Sequence, residues 1–226
     1  MTTPAHMLPP ERKVTPVLRA LAAVFGPRTW NPRDPLSVLV RGVLSQNTSD
    51  VNSGRAYDAL MERFGGWEGV AKGSQRQIAR AIRSGGLADQ KARTIRDVMQ
   101  WLGGCDGYSL DFMRGLSSEE IEEQLIAVKG VGIKTARLVL LFGFGRPVFV
   151  VDTHVHRVSK RLGLIPARCS REKAHLVLND LVPDERKYSG HLDLIEHGRR
   201  TCRSQRPLCD ECAVRRWCVH VREAVG

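Results

Sequence analysis

The sequence predicts an all-α protein. Apolar residues recur at spacings of three and four along most of its 226 residues, strand-like alternation is scarce, and glycine pairs and prolines punctuate the periodic stretches at helix-length intervals. That length can bury a substantial core, as one compact unit or as two small domains. No span reaches the uninterrupted apolar length needed to cross a membrane, and no charged-then-apolar leader opens the chain. A soluble, cytoplasmic protein is expected.

Each helix has its own signal. Val17, Leu18, Leu21 and Val24 form the apolar stripe of a first helix, which Gly26-Pro27 ends. Asp34-Pro35 reads as an N-cap followed by the first helical position, with Leu36, Leu39, Val40, Val43 and Leu44 behind it. Gly65-Gly66, Gly85-Gly86 and Gly103-Gly104 separate further segments built on Leu60 and Phe64, on Ile78 and Ile82, and on Ile95, Val98 and Leu102. Ser117 followed by Glu120 is a capping box for a helix carrying Ile121, Leu125 and Ile126. Gly130-Val131-Gly132 stops that helix, and Leu138, Val139, Leu141 and Phe142 continue on another, so this region reads as helix, hairpin, helix.

The formal charge of +11 points to an anionic partner, because lysine and arginine neutralise phosphates and release their counterions. The excess is uneven. Residues 1 to 34 hold five Lys/Arg against two Asp/Glu, residues 35 to 145 hold 14 against 12, and residues 146 to 226 hold 16 against 10. The two ends of the chain should therefore supply part of any face that binds a polyanion.

The hairpin carries the first candidate chemistry. Its glycines let the backbone turn sharply and approach a phosphate, and the first N–H groups of the following helix can bind that anion. Lys134 sits at the start of the helix, where the positive end of the dipole and partial desolvation should ease formation of a neutral, nucleophilic amine. Eighteen residues later, Asp152 lies between the buried-looking Phe149-Val150-Val151 and a helical pattern beginning with Val155 and Val158. As an N-cap its carboxylate would be favoured in the ionised form, suited to electrostatic stabilisation or to assisting a nearby amine.

Four of the six cysteines crowd into Cys202-x6-Cys209-x2-Cys212-x5-Cys218. Four thiolates so spaced can surround a zinc ion or an iron-sulfur centre, whereas Cys105 and Cys169 stand isolated in apolar helical context and read as buried thiols. His154 with His156, and His191 with His197, lack a third ligand, so hydrogen bonding is expected of them rather than a second metal centre. Trp30, Trp67, Trp101 and Trp217 form no stacking series.

On the segments Val128 to Ala136, Val151 to His154, and His197-Gly198-Arg199-Arg200-Thr201-Cys202 leading into the cysteine run, the chain resembles the endonuclease III group of the helix-hairpin-helix DNA glycosylases over residues 14 to 220. The resemblance implies two lobes. Residues 35–146 would form a six-helix barrel domain holding the hairpin, while residues 1–34 and 147–226 would form an iron-sulfur lobe, with duplex DNA lying across the groove between them. It also implies a [4Fe-4S] cluster on Cys202, Cys209, Cys212 and Cys218, organising Arg199, Arg200, Arg203 and nearby backbone toward phosphates. Gly130 and Gly132 would contact DNA, Lys134 would be the nucleophile, and Asp152 the essential carboxylate.

The implied activity is that of a monomeric bifunctional glycosylase and AP lyase, associated with chromosomal DNA, which removes oxidised pyrimidines such as thymine glycol and cleaves the abasic strand by β-elimination through a lysine Schiff base. A damaged nucleotide must leave the duplex for this chemistry, and the gap needs a filler. Leu87 matches the family's apolar wedge, with Lys91 a further DNA contact on the same segment. The glutamine-containing loop corresponds to Gln46 and Asn47. Two departures stand out: the usual glutamine aligns with the shorter Asn47, and Ala88 replaces an aromatic beside the wedge. Other readings are an AP lyase or mismatch glycosylase with altered base preference, and a noncatalytic helix-hairpin-helix DNA-binding protein, which would leave the pairing of Lys134 with Asp152 unnecessary.

Overall fold

The computed structural model describes residues 3–103 and 106–223, and among them there are helices and turns but no strand. Cys105 lies outside the described residues. The chain divides into two compact units: a central one, Asn31–Arg146, and a terminal one that joins the residues up to Trp30 with those from Pro147 onward.

The central unit holds α2 (Pro35–Leu44), α3 (Asp50–Phe64), α4 (Trp67–Lys72), α5 (Gln75–Ala81), α6 (Ala88–Leu102), α7 (Ser118–Ala127) and α8 (Ile133–Leu138), the last continuing into a wider π-helical turn, Val139–Gly143. The expected caps are in place. Asp34 accepts from the Ser37 N–H at 2.8 Å, with Pro35 in the first helical position. Ser117 and Glu120 form a reciprocal capping box, and a second box joins Ser74 to Gln77 at the start of α5. Leu36, Leu39, Val40, Val43 and Leu44 of α2 are all fully buried, each worth about 1.5–3 kcal/mol relative to exposure. Gly42 lets α2 meet α8 closely: a Cβ there would stand 2.8 Å from the Thr135 methyl.

The terminal unit contains α1 (Pro10–Phe25), α9 (Thr153–Leu162), α10 (Arg171–Leu181), α11 (Asp184–Arg200) and α12 (His220–Glu223). Its core gathers Val14, Val17, Leu18 and Leu21 of α1 with Phe149, Val155, Val158, Leu178 and Leu194. Buried Lys13 donates to the Leu162 carbonyl at 3.2 Å, closing α1 onto the end of α9. Two apolar residues of the predicted helices face outward: Val24 is 58% exposed and Ile126 41%. Both lie in the last turns of their helices, where the apolar stripe has rotated off the supporting core. Cys169 is buried, as expected.

Candidate nucleic-acid interface and cysteine cavity

Three segments of the central unit meet around α6. The first is the hairpin. Gly130 adopts a φ of +90°, and a Cβ on it would fall 2.2 Å from the Thr94 hydroxyl oxygen, so both conformation and space require glycine there. Gly132 has no such neighbour; it takes the N-cap position of α8, where no side chain caps the helix. Lys134 follows in the first turn of α8, half-exposed. Gly130→Ala is expected to destabilise the protein by about 2 kcal/mol or more, measured as a lowered denaturant midpoint with unchanged m-value.

The second segment follows α2. Gln46 turns back and donates from Nε2 to the Gly130 carbonyl at 3.3 Å, while Asn47 is exposed and left-handed at φ +50°. Of these two residues, Asn47 is the one that projects. The third segment precedes α6. Leu87 is 52% exposed and left-handed at φ +48°, directly after Gly86 at φ +68°. Leu87 is thus a loop tip and not core. A leucine in this region costs about 1–2 kcal/mol, so Leu87→Gly should leave the melting temperature unchanged or raise it, while slowing any reaction that needs an apolar wedge.

Lys91 corrects the expectation of a DNA contact. Its side chain is buried, with the residue only 1% exposed, and Nζ donates to the Leu44 and Gly85 carbonyls, each at 2.7 Å. Burial holds its pKa below lysine's ordinary value. Such a group cannot reach a phosphate; it pins backbone.

In the terminal unit Asp152 is the N-cap of α9 and accepts from the Val155 N–H at 2.7 Å. Lys134 therefore stands on the central unit and Asp152 on the terminal one. Arg199 and Arg200 occupy the exposed last turn of α11, Arg200 paired with Glu196 at 2.5 Å, and Arg203 donates to the Arg200 carbonyl at 3.1 Å.

Beyond α11 the chain wraps an apolar cavity lined by Cys202, Cys209, Cys212 and Cys218 with Leu162, Leu208, Val214 and Val221. Burial pushes the Cys212 thiol up to about 11 and raises Cys218 as well, and the sulfurs repel one another as thiolates. Among the described residues no three His, Cys, Asp or Glu side chains converge on one point as a single metal ion requires. Two arginines, neither part of a sequence motif, tie this loop to α9. Arg157 donates to the Gly198 and Cys202 carbonyls at 2.8 and 3.0 Å, and Arg161 to the Arg203 carbonyl at 2.6 Å and the Cys202 sulfur at 3.4 Å. Their spacing of four on one helix face was the only local hint. The histidines serve as hydrogen-bonding groups: His154 Nδ1 lies 3.2 Å from Arg157, His156 Nε2 2.9 Å from the Cys169 carbonyl, and His191 Nδ1 3.0 Å from the Val150 carbonyl. His197, buried and lowered to about 4 by that burial, has Nε2 3.7 Å from the Cys212 sulfur.

Two all-α units, one built around a hairpin between two helices and the other around a four-cysteine loop, make the fold of the helix-hairpin-helix DNA glycosylases. Residues 40–184 match the HhH-GPD superfamily of base excision DNA repair proteins. An endonuclease III of Thermotoga maritima is 35% identical over 87% of this chain and 88% of its own, and one of Sulfolobus acidocaldarius is 31% identical over 82% of each. A protein of Arabidopsis thaliana named as a DNA glycosylase is 39% identical over 78% of this chain, which spans 58% of that relative's length. A trapped covalent endonuclease III–DNA intermediate superposes with a TM-score of 0.83 at 27% identity, covering all of both chains. The chain belongs to the endonuclease III group of the HhH-GPD superfamily.

Proposed function

We propose that this protein is a bifunctional DNA glycosylase and AP lyase that removes oxidised pyrimidines, thymine glycol among them, from duplex DNA. The observation that carries the proposal is Lys134: a half-exposed primary amine in the first turn of a helix that opens directly from the glycine hairpin. A basic chain binds the duplex, and extruding the damaged nucleotide costs a few kcal/mol, offset by Leu87 entering the stack and by phosphate contacts. The Lys134 amine attacks C1′ as the bond to the base breaks. The C1′–O4′ bond then breaks as the amine's proton passes to O4′, which leaves a protonated imine between Lys134 and the opened sugar. Removal of a C2′ proton then expels the 3′ phosphate by β-elimination. Asp152, oriented by the bond it accepts from the Val155 N–H, stabilises positive character at the sugar and helps to manage the lysine proton. Gln46, drawn to the hairpin, leaves Asn47 as the residue nearest the role of gap filler; its shorter reach favours a changed preference for the opposite base.

The residues also suit a [4Fe-4S] cluster. Four thiols share one apolar cavity, and buried thiolates that repel one another need cationic charge among them to offset their desolvation. Zinc would draw all four sulfurs to about 2.3 Å from one ion, whereas a cluster takes one thiolate at each iron. Cys202, Cys209, Cys212 and Cys218 would hold it, and it would tie down the loop bearing Arg203 and the end of α11. A Cys212→Ser variant is expected to lose iron and visible iron-sulfur absorption together, read by metal analysis and optical spectroscopy; zinc in place of iron in the unaltered protein would reject the assignment.

The activity is tested by incubating the protein with duplexes containing thymine glycol or an abasic site and reducing with borohydride. A covalent adduct that requires Lys134 is expected. Free base without an adduct would point to a monofunctional glycosylase, and an adduct only on pre-formed abasic sites to a lyase alone.

A further inference from the structure

We propose that Lys91 is a positioning residue for nucleotide extrusion, setting the wedge loop and the gap-filling loop at a fixed register; the inference rests on the glycosylase reading. The two carbonyls that its Nζ bonds at 2.7 Å are not arbitrary points of the backbone. Leu44 is the last residue of α2, two before Gln46 and three before the projecting Asn47. Gly85 lies two before the left-handed, exposed Leu87. One buried ammonium therefore anchors the roots of both segments whose side chains must enter the duplex. Thr94, three residues further along α6, lies so close to Gly130 that a Cβ there would meet its hydroxyl oxygen at 2.2 Å, and Gln46 closes the circuit by bonding the Gly130 carbonyl.

The chemistry of the group suits this task. The end of α2 carries the negative pole of its dipole, and its last carbonyls lack partners within the helix, so a cation there is favoured. A long flexible stem with three donors can satisfy two carbonyls from different loops, which an apolar residue of equal length cannot. Small displacements matter at such a site: about 1 Å of misplacement costs on the order of 10²-fold in rate.

The test compares the full-length Lys91→Met protein with the unaltered one on two substrates. Thymine glycol duplex requires extrusion, whereas a single-stranded abasic oligonucleotide requires only the amine chemistry. Expected are a fall of about 10- to 100-fold in single-turnover base release from the duplex, a smaller fluorescence rise from 2-aminopurine placed beside the lesion, and borohydride trapping on the single strand within about twofold of the unaltered protein. If Lys91→Met does not accumulate as folded protein, Lys91→Gln, which keeps an amide donor, carries the same comparison. In a Leu87→Ala background the effect of Lys91→Met should shrink, since both act on one step. Equal losses on the two substrates, no loss on the duplex, or strict additivity with Leu87→Ala would each overturn the inference. An unaltered protein inactive on both substrates would overturn the glycosylase reading itself, whereas an active one indifferent to Lys91→Met overturns this inference alone.

Discussion

Lys134→Gln should bind lesion duplex with little change in affinity and yet form no borohydride-trapped adduct. The side chain is half-exposed in the first turn of α8, outside the buried set on that helix, Thr135, Ala136 and Arg137. Its loss should therefore move stability by no more than about 0.5 kcal/mol. The chemistry has no such tolerance, because a carboxamide cannot form an imine with C1′. Strand cleavage should fall at least about 10³-fold, or some 4 kcal/mol of transition-state stabilisation. Gel assays of trapped complex, set beside a fluorescence titration for binding, measure the two separately. Persistent trapping in this variant would move the nucleophile elsewhere on the chain.

Asp152 offers a cleaner separation of structure from chemistry, since its capping role is visible in the bond it accepts from Val155. Asparagine caps helices about as well as aspartate, so Asp152→Asn should keep the fold within about 0.5 kcal/mol while removing the negative charge. Base release should then drop by about 10²- to 10⁴-fold. Asp152→Ala loses cap and charge together, and should cost about 1 kcal/mol of stability in addition. Thermal melts and single-turnover rates on the two variants decide the matter. Equal activity in Asp152→Asn and the unaltered protein would reduce Asp152 to a cap.

Local signals were legible wherever a residue's neighbours in sequence are also its neighbours in space. The capping box of Ser117 and Glu120, the cap at Asp34 and the boundary at Asp152 belong to that class, each decided within four residues. So does the turn at Gly130, although the reason it must be glycine, the Thr94 hydroxyl, comes from a different helix. Lys91 carries no local mark of burial, since a lysine in a basic chain reads as a surface cation; its acceptors lie 47 and 6 residues away. The same holds for Arg157 and Arg161, whose acceptors lie more than a full helix downstream. The left-handed backbone of Leu87 runs against its residue type. Two preceding glycines announce a turn, but not which residue carries the strain.

The terminal unit is assembled from two stretches of chain with the whole central unit between them. During synthesis α1 therefore emerges with Val14, Val17, Leu18 and Leu21 unable to find the faces of α10 and α11 that pack against it. The central unit has all its own residues in one run and can close while α1 waits. Contacts spanning so much chain close slowly, since the loop must be ordered before any burial rewards it. A nascent chain halted near Arg146 would hence pair a finished central unit with an uncovered amphipathic helix. That helix is the segment on which a chaperone, or a neighbouring unfinished chain, would act first.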